Sequence, residues 1–290
     1  MAWSHLFFNA NRVLISPFLV IFFCLTTSLS SESTLCESLP EEKSSSEKIK
    51  VLVLIIACDK NSSYPHAHEN DPVYLGLQNV WKQYMNTDPR VEAYFLKSDP
   101  TIEEEYLIEG HTIWWKGEET WTPGILNKTL VALEAMTPRL HEFAYVYRTN
   151  LSSFIVFSRL LQFLESLPRN NCYCGTPYTE YDYTFVQGAG IILSSDLAHK
   201  LLNHKHQLFN SHIIDDVAIG FFLRDCGCEI LLAPPRCDIV SLDQWKRCKG
   251  DISDDTFHIR AKNETGRRVP DEIIVQKELL QLFYGLTVKE

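Results

Sequence analysis

The sequence predicts an α/β domain, a mixed and mostly parallel sheet flanked by helices, running as a single unit over residues 49–290. Three observations support this. Residues 49–57 (IKVLVLIIA) form an apolar, β-branched run long enough for a strand buried on both faces. Downstream, strand-like segments alternate with segments of helical periodicity, as parallel strands joined by crossover helices do. No second linker and no internal repeat interrupts this stretch.

In chain order, residues 74–85 carry apolar side chains at helical spacing. Residues 91–96 (VEAYFL) alternate as a second strand, and residues 111–116 (HTIWWK) give a short third one. Pro123 then opens residues 124–136, where Leu126, Leu130, Leu133 and Ala135 predict an amphipathic helix with proline near its first turn. Residues 145–149 (YVYRT) read as a fourth strand, and residues 155–167 as a helix. In such sheets ligands bind beyond the carboxyl ends of the strands, so the positions after Ala57, Thr149 and Leu193 are where a site is expected.

Two segments of different character precede the domain. Between Arg12 and Glu32 there is no charge, and residues 13–25 (VLISPFLVIFFCL) are almost continuously apolar. That length falls between a signal-peptide core of about 7–15 residues and a spanning helix of roughly 17–25. Residues 1–29 therefore read as a membrane-targeting segment, either cleaved or kept as an anchor. Residues 30–48 (SSESTLCESLPEEKSSSEK) read as a flexible stalk, since Ser and Glu offer little to bury.

Composition narrows the function. Twenty-seven Lys and Arg against 37 Asp and Glu give a net charge of −10, with no basic stripe, which argues against a nucleic-acid partner. There is no P-loop, no Gly-x-Ser-x-Gly elbow and no His-Glu-x-x-His helix. Of nine cysteines, Cys24 lies in the apolar segment, and the remaining eight suit a disulfide framework. Zinc is the competing reading, but Cys172-x-Cys174 and Cys226-x-Cys228 have one intervening residue where zinc pairs prefer two to four. Free buried thiols are a third possibility. Asn-x-Ser/Thr sequons stand at Asn61, Asn127, Asn150 and Asn263.

Several segments, in order, resemble the β-1,3-glycosyltransferase family, which includes β-1,3-galactosyltransferases and Fringe-type enzymes. The first strand followed by Leu77-Gln78-Asn79-Val80-Trp81 resembles the family's opening strand and R-x-T-W helix, with Asn79 departing at the arginine. Ile125-Leu126-Asn127-Lys128-Thr129-Leu130 resembles a degenerate N-L-T-x-K-T helix. Tyr145-Val146-Tyr147-Arg148-Thr149-Asn150 resembles the strand leading into the metal-binding D-x-D. Residues 186–194 (VQGAGIILS) resemble the GGAYVLS segment, and residues 214–220 (IDDVAIG) the E-D-V-x-x-G. The resemblance implies a GT-A fold, a nucleotide-sugar donor with a UDP-sugar expected, and a glycan or glycoprotein acceptor. It also suits a single-pass type II protein of the Golgi or ER lumen, secreted if its N-terminal segment is cleaved.

On this resemblance Asp216, with Asp215 beside it, is the candidate base for the acceptor hydroxyl. Asp-Asp ahead of an apolar helix over residues 217–223 is equally a good helix start. The D-x-D would fall on Asn150-Leu151-Ser152, where no carboxylate remains. Mn²⁺ or Mg²⁺ is therefore expected to be weakly held or absent, with Asn150, Ser152 and His258 the possible ligands. Asn150 and Ser152 could instead bond the donor directly. The diphosphate would then be neutralised by Arg148 and by the tail His258, Arg260, Lys262, Arg267 and Arg268. The alternative for that tail is a solvated surface loop. Asp59, at the end of the first strand, and Lys128 are further donor-side candidates. Gly188, Ala189 and Gly190, read as a turn, and Trp121 and Tyr183, read as loop aromatics, are expected on the acceptor side.

Overall fold

The computed structural model describes residues 49–58, 67–180, 182–265 and 267–288, with residues 67–70 described by backbone alone. The N-terminal segment and stalk, Cys24, Cys36, Asp59, Asn61 and Tyr181 lie outside the described residues. No helix among the described residues is long and apolar enough to cross a membrane.

The chain runs β1 (Val51–Ile56), α1 (Ala67–Tyr84), β2 (Val91–Ser98), β3 (Tyr106–Glu109), β4 (Thr112–Trp115), α2 (Gly124–Ala135), β5 (Tyr145–Asn150) and β6 (Ser153–Ile155). There follow α3 (Phe157–Glu165), β7 (Tyr173–Glu180), β8 (Tyr183–Ser194), α4 (Ser195–Asn203), α5 (Lys205–Leu208) and α6 (Asp215–Asp225). It ends with β9 (Ile230–Leu232), β10 (Cys237–Ile239), α7 (Leu242–Cys248), β11 (His258–Ala261) and α8 (Asp271–Tyr284).

The main sheet has the order β3-β4-β2-β1-β5-β8-β7-β9. Its centre is parallel, with β1 between β2 and β5 and β4 beyond β2. The reason lies in the first strand. Val51, Val53 and Ile55 enter one apolar cluster while Leu52 and Leu54 enter the other, so both faces of β1 are covered. Helices α1, α3 and α8 supply the first cluster, through residues such as Trp81, Leu160 and Leu279. Helices α2, α4 and α6 supply the second, through Leu126, Leu197 and Ile219. The spacing Leu77, Val80, Trp81, Tyr84 places one stripe of α1 in the core, where Tyr84 stacks on Phe154 of β6 at 4.7 Å. The mixed α/β sheet expected from the sequence is the one formed.

Several expectations are corrected. Strand β8 runs antiparallel to β5, so its beginning, and not the end after Leu193, lies at the carboxyl end of β5. Gly188, Ala189 and Gly190 are in this strand rather than in a turn. The helix expected from residue 155 begins at Phe157, because residues 153–155 pair with β11 in a second, three-stranded sheet of order β10-β11-β6. Residues 258–261 are therefore a largely buried strand and not a solvated loop. Tyr183 is also in a strand, 8% exposed, stacked on Phe221 at 3.9 Å with the Arg224 guanidinium over its ring. The disulfide framework does not form among the described residues, where Cys58, Cys172, Cys174, Cys226, Cys228, Cys237 and Cys248 are all thiols.

Candidate functional site

Three segments distant in sequence meet at the carboxyl ends of β1 and β5. They are the end of β5 with the turn after it, the start of β8, and the first turn of α6. Arg148 of β5 and Asp215 of α6 are both buried and form an ion pair through Nη2 and Oδ2. Nη1 of Arg148 donates to the Gly188 carbonyl. Burial pushes the Asp215 carboxyl above the ordinary carboxylate range, and the Arg148 charge acts against that shift.

Asp216, half-buried at the next position, points to the start of β8. Its Oδ2 accepts from the Gly188 N–H at 2.8 Å, and its Oδ1 from the Val217 N–H at 3.0 Å. Both carboxylate oxygens are thus engaged by backbone N–H groups, one on β8 and one in the first turn of α6. The residue capping the helix is Ile214, with no side-chain bond, so neither aspartate is the N-cap. Asp215 is consumed by the scaffold, whereas Asp216 keeps access to solvent. A Cβ at position 188 would lie 2.6 Å from Arg148 Nη1 and 3.1 Å from Asp216 Oδ2, so any larger residue there would displace those side chains.

The strand continues this connection. The Ala189 carbonyl accepts from Thr149 Oγ1 at 2.7 Å and Ser153 Oγ at 3.2 Å. A Cβ at Gly190 would lie 2.8 Å from His258 Nδ1. His258 is buried, with Nε2 2.8 Å from Ser153 Oγ and Nδ1 3.3 Å from the Tyr147 hydroxyl. Burial first, and then the charges of Arg236 and Arg260, hold it well below the ordinary histidine range, so it is neutral. Gly188 and Gly190 are separated by about 7 Å along a strand. That short step carries the structure from the Asp216 carboxylate to the buried histidine.

The turn where the resemblance implies a metal is an Asx turn. Asn150 Oδ1 accepts the Ser152 N–H at 3.1 Å, and Ser152 is buried. This donor set does not fit a divalent cation, which favours charged oxygens. His258 has both ring nitrogens engaged and two guanidinium groups nearby. Among the described residues no group of three or more His, Cys, Asp or Glu is placed to hold a metal.

The remaining candidates sort by their partners. Lys128 is 1% exposed, donating to the Ala57 carbonyl at 2.7 Å and to Glu119 at 2.6 Å, so it ties α2 to the end of β1. Trp121, 53% exposed, stands on the surface just before α2. Arg260 and Lys262 belong to the polar face of the small sheet, with Arg236, which the sequence reading did not single out. Strict alternation in His258-Ile259-Arg260-Ala261-Lys262 was the available signal for that face. Two sequons lie in engaged positions. Asn127 is buried and bonds Asn210 at 2.8 Å, while Asn263 Nδ2 donates to Glu272 Oε1 at 3.4 Å.

No protein-family model matches the chain, and no curated protein sequence matches it. Among solved structures it is similar to a glycosyltransferase involved in the glycosylation of the major capsid of PBCV-1. The two share 7% identity and a TM-score of 0.45, over 79% of this chain and 99% of that one. Likeness at that level leaves the functional reading to the residues.

Proposed function

We propose that this chain is an inverting glycosyltransferase that moves a hexose or N-acetylhexosamine from a UDP-sugar to a hydroxyl of a glycan or glycoprotein. One observation carries the reading. The segments that resemble family motifs at residues 145–150, 186–194 and 214–220 come together around one half-buried carboxylate, Asp216. Coincidental matches would have no reason to converge at the carboxyl ends of the central strands.

In this reaction the Asp216 carboxylate takes the proton of the acceptor hydroxyl. The acceptor oxygen forms its bond to the anomeric carbon on the face opposite the diphosphate. The bond from that carbon to the diphosphate oxygen breaks, and the diphosphate leaves with the electron pair. Arg148 and Asp215 position Asp216 through Gly188 and contribute no proton. Trp121 is assigned to the acceptor side, where an exposed aromatic face can lie against a sugar ring. The apolar run at residues 13–25 supports a luminal, membrane-anchored setting.

A second reading rests on the carboxylate-free turn at residues 150–152, which favours a relative that binds nucleotide sugar without turning it over. The two are separated by nucleotide release from the full chain, using a panel of UDP- and GDP-sugars with and without Mn²⁺. Release that depends on Asp216, tested with Asp216→Asn, is the expected result. Saturable binding with no release from any donor identifies the binder.

A further inference from the structure

The small sheet β10-β11-β6 gathers its polar side chains on one face, which also carries the buried Ile155 opposite His258. Ile239, Phe154, Ile259 and Ala261 enter the core, so the residues alternating with them, Asp238, Ser153 and Arg260, share the other face. Arg236, next to β10, has a side chain only 6% exposed. Its Nε and Nη2 donate to the Asp238 carboxylate at 2.9 Å each, while its Nη1 is buried with no partner. Arg260 Nη1 stands 3.9 Å from the same carboxylate, and Arg260 Nε is likewise buried with no partner. Lys262 follows on β11, and beyond it Arg268 pairs with Glu272 at 2.5 Å. Among the described residues, Arg236 and Arg260 thus share the one Asp238 carboxylate, with Lys262 close by and Glu272 engaged by Arg268.

This excess lies beside the altered turn. Arg260 is opposite Ser153 in the ladder, and the Ala261 N–H donates to the Ser152 carbonyl at 2.9 Å. The crowding is felt electrostatically. Lys262 is pulled down to about 8, by burial first and then by Arg260 and Arg268. Arg260 is lowered by burial and by Arg236. Guanidinium groups with buried N–H donors left over bind phosphate oxygens in bidentate fashion, and an anion here would relieve the repulsion.

We propose that Arg236, Arg260 and Lys262 form a receptor for the diphosphate of a nucleoside diphosphate, and that it works without a divalent cation. The assignment of the ligand as a nucleotide rests on the transferase reading. The anion site itself rests on the geometry of the small sheet.

The test is calorimetric titration of the full chain in EDTA with inorganic pyrophosphate, UDP and UMP. Pyrophosphate and UDP are expected to bind, with UMP at least tenfold weaker than UDP. Arg260→Gln and Lys262→Met are each expected to lower UDP affinity at least tenfold while the melting temperature holds or rises, because each removes a charge in excess. Lys262→Arg restores the affinity. Binding that requires Mn²⁺, UDP and UMP of equal affinity, or variants that melt earlier with unchanged affinity would overturn the proposal. A variant that loses stability and affinity together, with no rescue by Lys262→Arg, would do the same. Pyrophosphate binding without nucleotide-sugar release leaves the anion site standing and removes the transferase. Release that depends on Mn²⁺ leaves the transferase and removes the site.

Discussion

The two basic regions of the molecule treat their charges differently. On the side of the sheet covered by α2 and α6, Lys128 meets Glu119 and Arg148 meets Asp215, each buried cation with a carboxylate of its own. On the small sheet, Arg236 and Arg260 share Asp238. A matched buried pair holds segments together, and removing one member leaves an uncompensated charge. An unmatched set raises the energy of the empty protein and lowers it when an anion arrives. An arginine's sequence context therefore says little about its role until its carboxylates are located.

The largest effect should come from breaking a matched pair. Arg148→Ala strands Asp215 and is expected to lower stability by about 3–5 kcal/mol, read from the urea midpoint. An unchanged midpoint would place Arg148 outside the scaffold. Next is Asp216→Asn, for which nucleotide release should fall roughly 10²–10⁴-fold with the melting temperature preserved. Should release persist, the base lies elsewhere.

The unmatched side predicts a pH dependence of stability. Lys262 titrates near 8 in the fold and near the ordinary lysine value when unfolded. Between those values the unfolded chain holds a proton that the folded chain has released, so stability gained from this residue rises with pH. The melting temperature of the wild type, measured against Lys262→Met from about pH 7 to about pH 10, should therefore gain on the variant. A gap that stays constant would show that the lysine is not crowded. Gly190→Ala puts a Cβ 2.8 Å from His258 Nδ1 and is expected to cost about 1–3 kcal/mol, again from the urea midpoint. The smallest effect is a negative one. Peptide mapping after expression in a glycosylating host should find Asn150 unmodified, and a glycan there would remove it from the cleft.

Much of the central sheet was legible in the sequence because β1 reads as an apolar run, β2 as an alternating segment and β5 as a short segment rich in Tyr and Val. Asp216 was legible through its motif, and its separation from Asp215 was not. Consecutive helix residues diverge by their geometry, and only the fold reveals that one of them faces Arg148. The direction of β8 was hidden because an antiparallel strand has the same alternation as a parallel one. Residues 258–262 left two readings open, a phosphate-neutralising tail and a solvated loop, and the buried strand removes the second. Composition suggested solvent, while the period of two placed Ile259 and Ala261 in the core and left the basic residues on one side. Arg236 follows two prolines and carries no periodic signal of its own. Its place is set by Asp238, a partner two residues on.

The small sheet also fixes when the chain becomes competent. The turn at residues 150–152 is made well before α8, but its backbone is held by that helix, whose Gln276 Nε2 donates to the Leu151 carbonyl at 2.8 Å. Tyr284 at the end of that helix bonds the Ile155 carbonyl and the Phe157 N–H, each at 2.8 Å. Strand β11 arrives just before it. A nascent chain halted ahead of His258 would possess Arg148, Gly188 and Asp216 yet lack the strand and helix that frame them, so the cleft is finished only once β11 and α8 have been made.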